Sequence, residues 1–92
     1  MKLLEEHRRK IDHIDDRVID LLAERLDAVR VVAKIKAKND IPAILPDRVE
    51  EVIARCAARG EGRKLSPELV RLLYTLIVDY CCAMEEEYIS KS

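Results

Sequence analysis

The 92-residue chain contains no Trp and no Phe, and only two glycines. Too few aromatics are present for a base-stacking platform, and no glycine-rich phosphate loop can be assembled. The longest apolar runs are only a few residues, so no segment is expected to span a membrane. The opening stretch Met1–Lys10 turns charged where a signal peptide needs its apolar core, so the expected compartment is the cytoplasm. Cys56, Cys81 and Cys82 are odd in number and lack C-x-x-C spacing, which supports neither a disulfide framework nor a zinc site. Seventeen basic residues against 18 acidic ones leave a net charge of −1, so neither nucleic acid nor anionic lipid is generally attracted.

The chain is rich in what helices need: 49% hydrophobic residues, mostly aliphatic, and 38% charged ones. From Leu3 to about Lys38 there is neither Pro nor Gly. Leu4, Ile11, Val18 and Val32 fall in one heptad row, and Ile14, Leu21, Ala28 and Ile35 in the next. This predicts one helix of about 36 residues, about 54 Å long. A compact chain of this size has a radius of gyration of only about 12 Å. Such a helix therefore overhangs its own protomer and leaves an apolar seam for a second chain, most simply through two-fold symmetry.

Pro42 and Pro46 end that helix, and a second is expected from about Asp47 to Ala58, with Val49, Val52, Ile53 and Cys56 inward and Gly60 and Gly62 stopping it. Ser66 reads as an N-cap followed by Pro67, opening a third helix to about Ile89 that buries Leu69, Leu73, Leu76, Ile77, Tyr80 and Met84. The expected fold is all-α: residues 1–92 form one domain, a long-short-long three-helix protomer in an intertwined homodimer.

Several charges stand where a structural helix would not place them. Arg25 occupies the apolar row, where it needs either a partner-chain carboxylate or a bound anion. Lys36 follows about 20° round the helix and roughly 16 Å further along, so the two cations bracket Val29, Val32 and Ala33. The alternation Lys34, Lys36, Lys38 also fits a solvated face. Arg8 is about 25 Å from Arg25 and can meet the same small anion only across an antiparallel dimer; otherwise it belongs to an exposed basic patch. Arg48, in the first turn of the second helix, either pairs with Asp47 or Glu51 or meets a carboxylate there. One of Glu85, Glu86 and Glu87 can turn inward, one turn after Cys81, itself readable as a small buried residue. His7 and His13 are six apart, which suits no shared site on one helix. Any chemistry should therefore rest on positioning and cationic stabilisation of a small polyanion, such as a dicarboxylate.

Arg8, the stretch Ile14-Asp15 through Leu21-Leu22-Ala23-Glu24-Arg25, Lys36, the Pro46-Asp47-Arg48 turn and residue 85 together resemble the all-helical class of chorismate mutases, from Leu3 to about Tyr88. The resemblance implies a dimer with two equivalent sites and no cofactor or metal. Arg25 and the partner chain's Arg8 would hold two substrate carboxylates, and Lys36 would donate to the ether oxygen and a carboxylate. Arg48 would lie beside the ring, and residue 85 would give the second hydrogen bond to the ether oxygen. The reaction implied is a [3,3] rearrangement.

Three positions depart from the common pattern of that family. Glu85 stands where bacterial members often have Gln; a carboxyl donates to an ether oxygen only when protonated, so turnover is expected to be best at mildly acidic pH. Val49 follows the turn arginine where Glu often accepts from the substrate's 4-hydroxyl. Cys81 replaces a small hydroxyl residue. Val49, Glu85 and the Ile41–Val49 loop are most similar to the 4-amino-4-deoxychorismate mutases, while Val at this position also resembles the isochorismate-pyruvate lyases. The expectation is a mutase acting on chorismate or its amino analogue, with the lyase and a non-catalytic helical interaction module as alternatives. No regulatory domain is expected in this length, so feedback control would need a partner protein.

Overall fold

The structure is a computed structural model that describes residues 2–92. It consists of three helices, α1 (Lys2–Lys38), α2 (Pro46–Glu61) and α3 (Pro67–Lys91), with no strand among the described residues. α3 lies between the other two and packs against both. α1, with the heptad rows along its length, runs uninterrupted through 37 residues.

Each helix end has a local cause. The Ile41 N–H donates to the Lys36 carbonyl at 3.0 Å, and Asp40 sits left-handed at φ 52°, which closes the C-terminal turn of α1. Asn39 adds a side-chain bond to the Ile35 carbonyl at 2.8 Å. Ser66 caps α3 as expected, its hydroxyl accepting from the Leu69 N–H at 3.4 Å, with Pro67 following.

The glycines act in part differently from the sequence expectation. The helix continues past Ala58 through Gly60 to Glu61, and Gly62 ends it as the C-cap, in right-handed geometry at φ −63°. The left-handed residue is Lys64 at φ 64°, and the Leu65 N–H closes the turn on the Gly60 carbonyl at 2.9 Å. Gly60 is needed for proximity instead, since a Cβ there would stand 2.7 Å from Val70 Cγ2. It is the point where α2 meets the start of α3.

The protomer's own core is small: Ala33, Val52, Ile53, Ala57, Val70, Val78 and Cys81. Val52 and Ile53 point inward as expected, whereas Val49 and Cys56 are half-buried. On α3 the expected stripe is corrected. Leu69, Leu73, Leu76 and Tyr80 are exposed, Leu76 by 63%, and Ile77 and Met84 are half-buried. α3 is apolar on two sides, and the side formed by Val70, Val78 and Cys81 meets its own chain.

Residues 2–20 of α1 are all exposed, with Leu4, Ile11, Ile14 and Val18 among them. The molecule measures 56 × 25 × 15 Å, with a radius of gyration of 16.7 Å against about 12 Å for a compact chain. Its 7600 Å² of accessible surface exceeds by roughly 2,000 Å² what a compact monomer of 10.6 kDa presents. No helix among the described residues is long and apolar enough to cross a membrane.

Candidate active site

The C-terminal half of α1 presents Arg25, Val29, Val32 and Lys36 at spacings of four, three and four, which is one helical stripe. It faces an α3 stripe of Val78, Cys81, Cys82 and Glu85. Ala43 and Leu45 of the connecting loop, with Arg48, Val49 and Val52 of α2, close the third side. Together these residues line a cleft of about 170 Å³. Of the sequence-predicted site residues, Arg25, Lys36, Arg48, Val49, Cys81 and Glu85 thus come together. Arg8 does not; it lies on the exposed half of α1, far from this chain's cleft.

Glu85 is the inward member of the acidic run and the only buried charge among the described residues, 7% exposed. Glu86 is exposed, and Glu87 pairs outward with Lys91 at 2.8 Å, a hydrogen bond that holds its carboxyl below the usual range. The Lys36 ammonium stands 2.8 Å from Glu85 Oε1 and donates to the Ala43 carbonyl at 2.7 Å. The approach to Oε1 is close but oblique, so this oxygen has a charge partner and no aligned hydrogen bond. A buried carboxylate oxygen in that condition is available to a ligand. Lys36 likewise has three N–H donors and one well-aligned acceptor.

Arg25, half-buried, donates from Nη1 to Cys81 Sγ at 3.3 Å, and its guanidinium carbon lies 5.9 Å from the centre of the Tyr74 ring. Arg48 is exposed and pairs with Glu51 one turn on, so of its two expected partners Glu51 is the one in contact. Burial pushes the Cys82 thiol above its ordinary range; Glu85 adds to the rise and Lys36 opposes it. Cys82 is therefore a neutral lining group rather than a thiolate nucleophile.

The cleft offers three cationic side chains, one buried carboxyl group and apolar walls. That set suits a small dianion with an apolar frame, with donors at its centre. It provides no nucleophile–base pair, and among the described residues no cluster of three or more His, Cys, Asp or Glu is placed to hold a metal ion.

Comparison with known proteins decides the family. Residues 7–86 match the family described as chorismate mutase type II. The chain belongs to this family of isomerases. It is 28% identical to a 4-amino-4-deoxychorismate mutase of Streptomyces pristinaespiralis over 87 residues, covering 95% of this chain and 67% of that protein. It is 26% identical over 89 residues to a chorismate mutase of Methanocaldococcus jannaschii, covering 97% of this chain and 90% of that protein. A bifunctional chorismate mutase/prephenate dehydratase of Aquifex aeolicus is 30% identical over 90 residues, and there the match covers 95% of this chain but only 25% of the longer protein.

The residues missed in the sequence are those with indirect signals. Ala43 joins the site through its backbone carbonyl, which any residue type supplies. Leu45 was legible only as the position before the helix-starting Pro46. Cys82 follows a buried neighbour on a helix, and Tyr74 stands behind Arg25 rather than in the cleft.

Proposed function

We propose that residues 1–92 act as one cytoplasmic mutase domain that rearranges chorismate to prephenate, or 4-amino-4-deoxychorismate to 4-amino-4-deoxyprephenate, within a homodimer. The observation that carries this reading is the facing pair Lys36 and Glu85 in a cleft whose other end holds Arg25. A [3,3] rearrangement breaks one C–O bond and forms one C–C bond, with no atom gained or lost and no proton transferred. The protein's task is to hold the enolpyruvyl arm over the ring in a chair-like geometry and to stabilise the charge gathering on the ether oxygen.

Arg25 takes one substrate carboxylate through its fork. Lys36 donates to the ether oxygen and a carboxylate, and protonated Glu85 supplies the second donor to that oxygen. Arg48 orders the mouth of the site once its exposed pair with Glu51 gives way. Arg8 reaches the second carboxylate from the partner chain. Support for the partner comes from the 2–20 segment of α1, exposed along its apolar rows, and from the surplus surface. Roughly 2,000 Å² from each chain falls in the range of obligate interfaces.

Val49 bears on the ring substituent. It lines the cleft with an apolar side chain that accepts no hydrogen bond, so a 4-hydroxyl would find no acceptor there. A 4-amino group is a donor too, so Val49 alone does not separate the two substrates; the likeness to the Streptomyces pristinaespiralis mutase is what supports the amino analogue.

A mass-resolved product assay with chorismate, 4-amino-4-deoxychorismate and isochorismate offered separately tests the proposal. A product of unchanged mass and altered retention from either of the first two is expected. Pyruvate release from isochorismate as the dominant reaction would replace the mutase with a lyase. No turnover of any of the three would refute the enzymatic reading and leave a helical interaction module.

A further inference from the structure

Arg25 raises a problem of placement. It is half-buried, long and flexible, and among the described residues no carboxylate lies within ion-pair distance of it. A carboxylate would fix the guanidinium but would also neutralise it, and would compete with any carboxylate arriving in the cleft. Two uncharged groups of α3 touch it instead. Cys81 Sγ accepts one N–H at 3.3 Å, and the face of Tyr74 lies 5.9 Å from the guanidinium carbon. The two are seven residues apart on α3, two turns or about 10 Å along the axis and about 20° apart in angle, so they form one stripe. Cys81 lines the cleft; Tyr74 does not.

We infer that Tyr74 is a positioning residue for Arg25, holding the guanidinium from behind with its ring face while Cys81 fixes one edge, so that the remaining donors are presented to a substrate carboxylate at full charge. This rests on the dicarboxylate reading of the cleft. The attraction of a cation to a ring face orients without neutralising, and it does not need the phenol hydroxyl. The thiol occupies one of five N–H donors, which leaves a free edge for a bidentate carboxylate. The separation is near the outer limit for such a contact, which places the effect at the modest end.

The test uses the full-length protein and two readouts: steady-state kinetics on the preferred substrate, and calorimetric affinity for prephenate, a dicarboxylate that is not consumed. Tyr74→Phe should match the parent. Tyr74→Leu should raise KM and weaken prephenate three- to fivefold, with kcat changed less. In an Arg25→Ala background, Tyr74→Leu should leave the residual prephenate affinity within error, because the ring then has no cation to hold. Cys81→Ala, a small change at a buried helical position, probes the other edge and should weaken prephenate in the same direction, while Cys81→Ser should restore the contact. Equal losses from Tyr74→Leu with and without Arg25 would overturn the inference, as would a Leu variant indistinguishable from the parent. A parent that binds no prephenate and turns over no substrate would refute the functional reading itself, before any variant is compared.

Discussion

Replacing Glu85 with Gln removes one negative charge from a side chain that is 7% exposed and 2.8 Å from Lys36, with almost no change of shape. Two effects follow and they are separable. The first is on stability. Breaking a fully buried ion pair costs about 3–5 kcal/mol because one charge is left unpaired. Here the orphaned ammonium keeps the Ala43 carbonyl at 2.7 Å and is 13% exposed, and the Gln carbonyl still faces it. A loss of about 1–2 kcal/mol near neutral pH is the resulting expectation, or a fall of several degrees in melting temperature at fixed protein concentration. The second effect is on rate. A carboxyl group donates to an ether oxygen only in its protonated form, so the active species is present at low pH and lost as pH rises. Gln donates at every pH, so the variant's profile should be flat over the range where the parent's falls. Initial rates of substrate disappearance from pH 5 to pH 9, at a temperature where both proteins are folded, decide it. A Glu85→Gln profile that keeps the parent's downward slope, or a parent profile that is flat, would refute the donor role of Glu85.

The same carboxylate raises the Cys82 thiol, so Glu85→Gln should lower it and speed alkylation of Cys82 by a neutral thiol reagent at any pH below full thiolate formation; mass-mapped alkylation rates check this, and an unchanged or slower rate would contradict it. Gly60→Ala should destabilise by about 1–2 kcal/mol, because the new Cβ falls 2.7 Å from Val70 Cγ2 and this outweighs the gain in helix propensity. Gly62→Ala, whose Cβ would meet only the Arg59 carbonyl at 3.5 Å, should be neutral or stabilising by up to about 1 kcal/mol in the same thermal melts. If the arginines are shared across a dimer, Arg8→Ala and Arg25→Ala chains, each nearly inactive alone, should recover about a quarter of parental activity after equal mixing and exchange, since half the dimers are mixed and each carries one intact site.

The periodicity of α1 and the Pro and Ser signals of α3 made both long helices legible, since each of these features acts within a few residues of itself. The end of α2 was not, because the left-handed position fell to Lys64 rather than a glycine, and Gly60 serves a contact with Val70 across the fold. Arg25 and Lys36 could be placed in a common site because eleven residues return a helix to nearly the same face. Which glutamate of the acidic run turned inward, and which side of α3 met its own chain, depended on how the helices pack. An apolar stripe on each side of α3 satisfies the sequence pattern equally well from either direction. The hold of Lys36 on the Ala43 carbonyl left no trace in residue identity, since the acceptor is backbone.

The α3 stripe of Val78, Cys81 and Glu85 is both most of what the helix buries and the floor of the cleft. Selection for tighter packing therefore has few positions to act on without redrawing the ligand site. Substitutions that fill or reshape this interior will register as changes in substrate preference as readily as changes in melting temperature. Variation that stabilises such a protein without touching the cleft is steered to places such as the turn between α2 and α3 and the exposed polar faces of the helices. One methyl group gained or lost on this stripe changes the packing of the helix and the wall of the cleft together.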